Sequence, residues 1–275
     1  MTLKLNFLTL WVPTLMHKTS FLVFLQLLKR DLRTFSREYP AKLFDTAFLF
    51  FTNMIVFAYL MPKQGLDPQY GVFLMIGAIA SFGLIEVVGR VSVLLSDIDG
   101  ERAISQTLIL PVSANAVFCY IAIYWAISSM LLSVLLFPLG KLLLWSRFDV
   151  GSISIIRLIP IYLSANIFFG FFALWLTSIL KGMEGLNTLW MRVINPLWMF
   201  GAYFYSWQAS FELSPVIAYI SLINPMVYIM EGMRAATLGQ EGYLSYSVCL
   251  LVIWGFIIVC GTLATRRLKK RLDCV

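Results

Sequence analysis

Apolar and polar positions alternate along this chain in long blocks. Stretches of about twenty apolar residues, long enough for one helical crossing of a bilayer, are separated by short polar, Pro- or Gly-containing breaks. Blocks at about Leu43–Met61, Gly71–Leu95, Val112–Leu139, Ile156–Leu180, Val193–Tyr205 and Leu244–Thr265 read as spans. Ahead of them, Phe21, Leu25, Leu28, Leu32, Phe35 and Tyr39 recur at spacings of four and three, one face of a helix. Gln26, Lys29, Arg30, Arg33 and Arg37 fall elsewhere on that helix. This predicts a basic amphipathic helix lying in the headgroup layer, with the first span beginning after Pro40. No A-x-A-like site follows the short FLTLWV run, so a cleaved signal peptide is not expected.

Ser214–Met233 is apolar enough to span, but Asn224-Pro225 breaks it in the middle. Parity separates the two readings. A true span makes seven crossings and places the N-terminal basic helix and the C-terminal RRLKKR on opposite sides. A re-entrant hairpin makes six and places them together. On the six-span reading all but five of the 21 Lys and Arg lie on one side, the exceptions being Lys63, Lys141, Arg147, Arg157 and Arg234. That obeys the positive-inside rule, and seven crossings do not. The expected fold is therefore an all-α polytopic membrane protein with six transmembrane helices, an N-terminal interfacial amphipathic helix and a re-entrant outer hairpin between spans five and six. Its divisions are a cytoplasmic and interfacial segment over 1–42, a transmembrane domain over 43–265 with a cytoplasmic loop at 96–111 and the hairpin at 208–240, and a basic tail over 266–275.

Composition agrees. Of 275 residues, 60% are hydrophobic and 13% charged, about half the charge of a soluble domain. The net charge of +7 labels the cytoplasmic side and is no sign of nucleic acid. One histidine cannot build a bis-histidine haem or a His-rich metal site, and the four cysteines are scattered, with no CxxC. Neither a P-loop GxxxxGK[ST] nor GxSxG or HExxH is present, so energy for any pumping must come from a partner or an ion gradient. No metal or cofactor is expected.

Three groups of residues could carry a mechanism. In the loop after span two, Asp97, Asp99 and Glu101 lie where a short helix would start, as the helix dipole favours. Ile104, Leu108 and Pro111 then recur at helical spacing. Such a helix could be a rigid contact for a soluble partner, or a connector whose acids only cap it. In the hairpin, Asn224-Pro225 forms the turn, and Glu231 and Arg234 at i, i+3 can pair on one face. Within the spans, Glu86 and Arg90 at i, i+4 are candidates by the cost of intramembrane charge, their mutual pairing being the plainer explanation. Trp198, Tyr203, Tyr205 and Trp207 belong to a dense aromatic run that could anchor helices at headgroups or stack on sugar rings.

Taken in order, these segments resemble the membrane subunits of ABC transporters of the type-2 exporter class, which includes permeases for capsule polysaccharide, O-antigen, Nod factor and drugs. The likeness rests on the basic helix before span one, the acidic loop ending in Leu110-Pro111-Val112-Ser113, and the Asn224-Pro225…Tyr228…Arg234 run before the last span. Drug-exporter members often carry Gly-Thr and a Glu upstream of that proline, where this chain has Arg102-Ala103 and Ser105. The resemblance implies a homodimeric permease in a bacterial cytoplasmic membrane, in contact with lipid, with both termini inside. Two copies of a separate ATP-binding subunit would bind the loop through Asp97, Asp99, Glu101, Arg102, Ile104, Leu108 and Pro111. Asn224, Pro225, Tyr228, Glu231 and Arg234 would form an outer gate, and a polysaccharide, glycolipid or other amphiphile would be the cargo. The reading from a different class is a polytopic membrane enzyme or a scaffold acting on lipid-linked substrates.

Overall fold

A computed structural model describes residues 18–100, 103–110 and 112–272. Among these residues all regular structure is helical. α1 (Lys18–Met54) runs straight into a π-helical stretch at Ile55–Leu60 and a 3-10 turn at Met61–Gln64, closed by Gly65 at a left-handed φ of 100°. There follow α2 (Tyr70–Asp99), α3 (Ala103–Leu108), α4 (Ala114–Ser133), α5 (Leu136–Leu144), α6 (Ile155–Ile179), α7 (Gly185–Leu189), α8 (Asn195–Met199), α9 (Trp207–Leu213), α10 (Pro215–Ser221), α11 (Pro225–Thr237) and α12 (Tyr246–Arg271). Five stretches are long and apolar enough to cross a membrane: Ser20–Gln64, Tyr70–Asp99, Ala114–Leu144, Ile155–Ile179 and Tyr246–Arg271.

α2 and α6 keep 72% and 67% of their apolar windows inside the protein, whereas α1, α4 and α12 keep only 17%, 39% and 33%. The first two therefore form the centre and the others the lipid-facing shell. Small residues set the closest approaches, as expected where no hydrophobic drive pulls helices together in lipid. A Cβ at Gly71 would come within 2.6 Å of Ala58, and one at Gly170 would overlap the carbonyl oxygen of Ala122.

The expected boundary near Pro40 is absent. The helix passes through the proline, although its ring removes one backbone bond, because contacts on both sides hold it. Phe35 is buried, Tyr39 donates its hydroxyl to the Leu131 carbonyl at 2.9 Å, and Glu38 and Lys42 pair across the proline at 2.8 Å. The amphipathic segment and span one are thus one helix. The predicted apolar face is divided: Phe35 packs inward while Phe21 and Leu25 stay exposed. The hydroxyl of Tyr120 on α4 hydrogen-bonds Asp31, so this face meets protein over part of its length.

The block at Val193–Tyr205 is also not a span. Its helical run covers residues 185–199, α7 and α8 joined by a π-helical turn at Trp190–Ile194. At 1.5 Å per residue it is about 22 Å long, short of the ~30 Å hydrocarbon layer. It stops where Gly201 lies against Met226 and Ala202 adopts a left-handed φ of 61°.

α6 and α12 run parallel. Near their starts the Tyr246 hydroxyl donates to the Arg157 carbonyl at 2.8 Å; near their ends Arg271 donates to the carbonyls of Thr177 and Leu180 at 3.1 and 2.6 Å. The chain between them, about 180–245, therefore travels from one end of the bundle to the other without any single long helix. The end that carries Arg266, Arg267, Lys269, Lys270 and Arg271 is called the basic end below.

Candidate functional site

At the basic end, Asp97 closes the turn into α3. Its two carboxylate oxygens accept the N–H groups of Ala103 and Ile104, each at 2.8 Å, the capping that an acid at a helix start suggests. Asp99 does something else. It pairs with Arg271 at 3.2 Å, and the same guanidinium holds the last carbonyls of α6. One side chain thereby ties the ends of α2, α6 and α12 together. Asp99 is thus engaged within the chain, with 43% of its side chain still exposed. Ile104 is buried and Leu108 packs against the core, so both point into the protein, and the outward apolar surface is Ile109, 83% exposed, with Leu110. The turn after Leu108 decides this: Ile109 and Leu110 bond back to Ser105 and Thr107 and leave their side chains outside. Glu101, Arg102 and Pro111 lie outside the described residues.

The segment expected as a hairpin is a bent helix pair, α10 and α11, with α11 buried along its whole length. Asn224 caps it by accepting the Met226 N–H at 2.9 Å and donates its amide to the Leu197 carbonyl at 2.8 Å. Tyr228 is buried and donates to the Leu222 carbonyl at 2.9 Å, bracing the turn. α10 meets α11 at 97°. The outer end of α11 is fastened to the start of α6, Ser154 N–H donating to the Ala236 carbonyl at 2.9 Å. Since twelve residues of helix rise about 18 Å, the Asn224-Pro225 turn sits deep in the bundle, well away from the end at which α6 begins.

Glu231 and Arg234, both fully buried, form no direct ion pair. Each binds backbone from a different loop. The Glu231 carboxylate accepts the N–H groups of Trp207 and Leu244, both at 3.0 Å. Arg234 donates to the carbonyls of Ala202 at 2.5 Å, Tyr203 at 2.8 Å and Tyr205 at 3.4 Å, with its guanidinium 3.4 Å from the centroid of the Phe73 ring. Both charges are held by fixed backbone dipoles in one buried neighbourhood, which is how buried charge is tolerated, and only the Arg234 Nε lacks an acceptor. The helix ends at 199 beside this clamp, where Asn224 takes the Leu197 carbonyl that the Gly201 N–H would use and Gly201 lies against Met226.

Much of the aromatic run packs around the clamp, while Trp190 and Phe200 stay exposed. Tyr203 is buried and its ring lies 4.7 Å from those of Trp198 and Phe204. Trp207 donates its indole N–H to the Ala218 carbonyl at 2.9 Å. Tyr205 lends its carbonyl to Arg234. Glu86 and Arg90 do pair, at 3.2 Å on α2, far from the Glu231 clamp in sequence and on a different helix.

The structure thus joins Asn224, Pro225, Tyr228, Glu231 and Arg234 with Trp198, Tyr203, Tyr205 and Trp207 in one assembly, and keeps Asp97 and Asp99 at the basic end. Arg271 and Ile109 are contributors that sequence reading passed over. Arg271 lies within a basic run whose members look alike, and Ile109 is one residue off the helical periodicity. Among the described residues no group of three or more His, Cys, Asp or Glu could hold a metal ion. Compared with protein-family models, curated proteins and solved structures, the chain matches none.

Proposed function

We propose that this chain is the membrane subunit of an ATP-driven exporter of the type-2 ABC class. In this reading a homodimer of the chain lies in a bacterial cytoplasmic membrane and works with two copies of a separate ATP-binding subunit. The observation that carries it is the placing of two features at opposite levels of one bundle: a short capped helix with exposed Ile109 and Leu110 at the basic end, and a bent hairpin, α10–α11, directly before the last span. The Arg271–Asp99 link supplies a route between them. A push on α3 reaches α2 at once, reaches α6 and α12 through Arg271, and α11 packs on all three. The membrane-enzyme reading gains nothing from Glu231, whose two oxygens are held by backbone N–H groups.

Six crossings follow on this reading, with the segment 180–245 supplying the fifth by a broken path and the hairpin re-entering from outside. Reporters fused after Val275 and within 145–154 are expected to lie on opposite sides. An outside C-terminus would remove the topology and with it the exporter reading.

The partner surface is tested by Ile109→Asp. The expected result is that co-purification with a P-loop ATPase encoded beside this gene falls about tenfold, as for loss of an interface anchor, while thermal stability stays within ~0.5 kcal/mol of wild type, as for exposed positions. Undiminished co-purification, or no ATPase partner at all, would sink the proposal.

A further inference from the structure

A groove of about 440 Å³ opens between α6, α12 and the helical run at 190–197. That is within the ~300–1,000 Å³ typical of ligand sites. Its direction can be read from the helices. Phe168 and Phe256 meet across it, ring centroids 6.4 Å apart, which places α6 and α12 in register there. Seven residues further towards the basic end both helices still line it, through Trp175 and Leu263, so it runs about 10 Å along them. The inner limit is the Asn224-Pro225 turn. The walls are aromatic and aliphatic, and no carboxylate lines them.

Asn224, bonded within the chain, and the buried Cys260 thiol apart, two lining residues carry polar groups, and both are donors. The indole N–H of Trp175 is buried without an acceptor. Arg192 is exposed and makes no hydrogen bond or ion pair with any described residue. An exposed arginine at the edge of an apolar groove matches an anionic headgroup whose chain fills the groove. Val259, on the α12 wall, is 52% exposed, and Met191, beside Arg192, is 65% exposed; the groove therefore opens sideways, towards lipid.

We infer that this groove is a binding site for an anionic phospholipid of the leaflet at the basic end. One acyl chain lies along Phe168, Phe172 and Phe256 with its tip against Pro225, and the phosphate sits at Arg192. Arginine suits a phosphate through its planar fork of donors. Occupancy supports the deep turn of the hairpin from below. The site depends on lipid contact alone and stands whether or not the chain exports anything.

The full chain, reconstituted in phosphatidylcholine nanodiscs carrying a trace of phosphatidylglycerol with a diazirine on one acyl chain, tests this directly. After illumination, label is expected on peptides around Phe168–Trp175, Phe256–Leu263 and the Asn224-Pro225 turn. Arg192→Gln should lower labelling there about tenfold, the size of a lost charge-assisted hydrogen bond. Val259→Trp, at an exposed position where folding is not at risk, should block the groove and abolish it. A phosphatidylcholine probe should label these peptides several-fold less than phosphatidylglycerol. The inference is overturned if the two probes label equally, if Arg192→Gln changes nothing, or if the groove peptides crosslink to a second copy of the chain in place of lipid.

Discussion

Arg234→Met is expected to destabilise the protein by about 3 to 5 kcal/mol, the scale of leaving a buried charge without its balance. The variant removes the donor to three carbonyls and leaves the buried Glu231 carboxylate with its two backbone donors but no neighbouring cation. In detergent, the thermal midpoint should fall by ~10 °C or more, and limited proteolysis should open first between Phe200 and Trp207, the loop that Arg234 holds. Arg234→Lys keeps the charge but offers no planar fork to span the three carbonyls, so it should rescue only part of the loss. The double variant Glu231→Gln with Arg234→Met should lose less than the two singles added, because no unbalanced charge remains. An unchanged midpoint in Arg234→Met would mean that the loop is held by its aromatic packing alone.

Gly170→Ala should be the most damaging change of a single methyl. The added carbon would meet the backbone of Ala122 on α4, not a side chain that could rotate away. α4 and α6 must then separate along their contact, at a cost of about 3 kcal/mol, the upper range for overpacking. By contrast, Gly89→Ala on α2, where a methyl meets nothing within 4 Å, should be neutral or slightly stabilising through helix propensity. Yield and thermal midpoint of the two variants, measured side by side, check this. Equal behaviour would show that the α4–α6 contact is looser than the structure describes.

These two sites differ in how far a reader of the chain could have foreseen them. Gly170 lies in an unbroken apolar block, and nothing in its neighbours marks it as a contact. Arg234 stands out as a charge in an apolar stretch and was legible as a candidate, yet its partners were not. The sequence offers Glu231 three residues away, and a helical pair was the natural expectation. The true acceptors are main-chain carbonyls of Ala202, Tyr203 and Tyr205, and a carbonyl has no residue-type signature. The same holds for Arg271, whose acceptors are the carbonyls of Thr177 and Leu180.

What the chain determined by itself is the set of long apolar helices and most of their ends. Hydrophobic length and Pro or Gly breaks placed α2, α4 with α5, α6 and α12 within a few residues, because desolvating an unpaired backbone in lipid leaves helix as the only answer for such blocks. Asp97 as a cap and Asn224-Pro225 as a turn were equally local, each satisfying backbone groups within seven residues. Tertiary structure alone decided three things. It carried α1 through Pro40, since side-chain contacts from Phe35, Tyr39 and Lys42 outweigh one lost hydrogen bond. It cut the fifth apolar block short at Met199, since Asn224 took the Leu197 carbonyl that would have extended it and Gly201 meets Met226. It turned Ile104 and Leu108 inward and engaged Asp99 with Arg271. Apart from the Glu38–Lys42 pair within α1, the deciding partners lie on other helices, and in a chain where nearly every face is apolar, periodicity cannot tell a face turned to lipid from a face turned to protein.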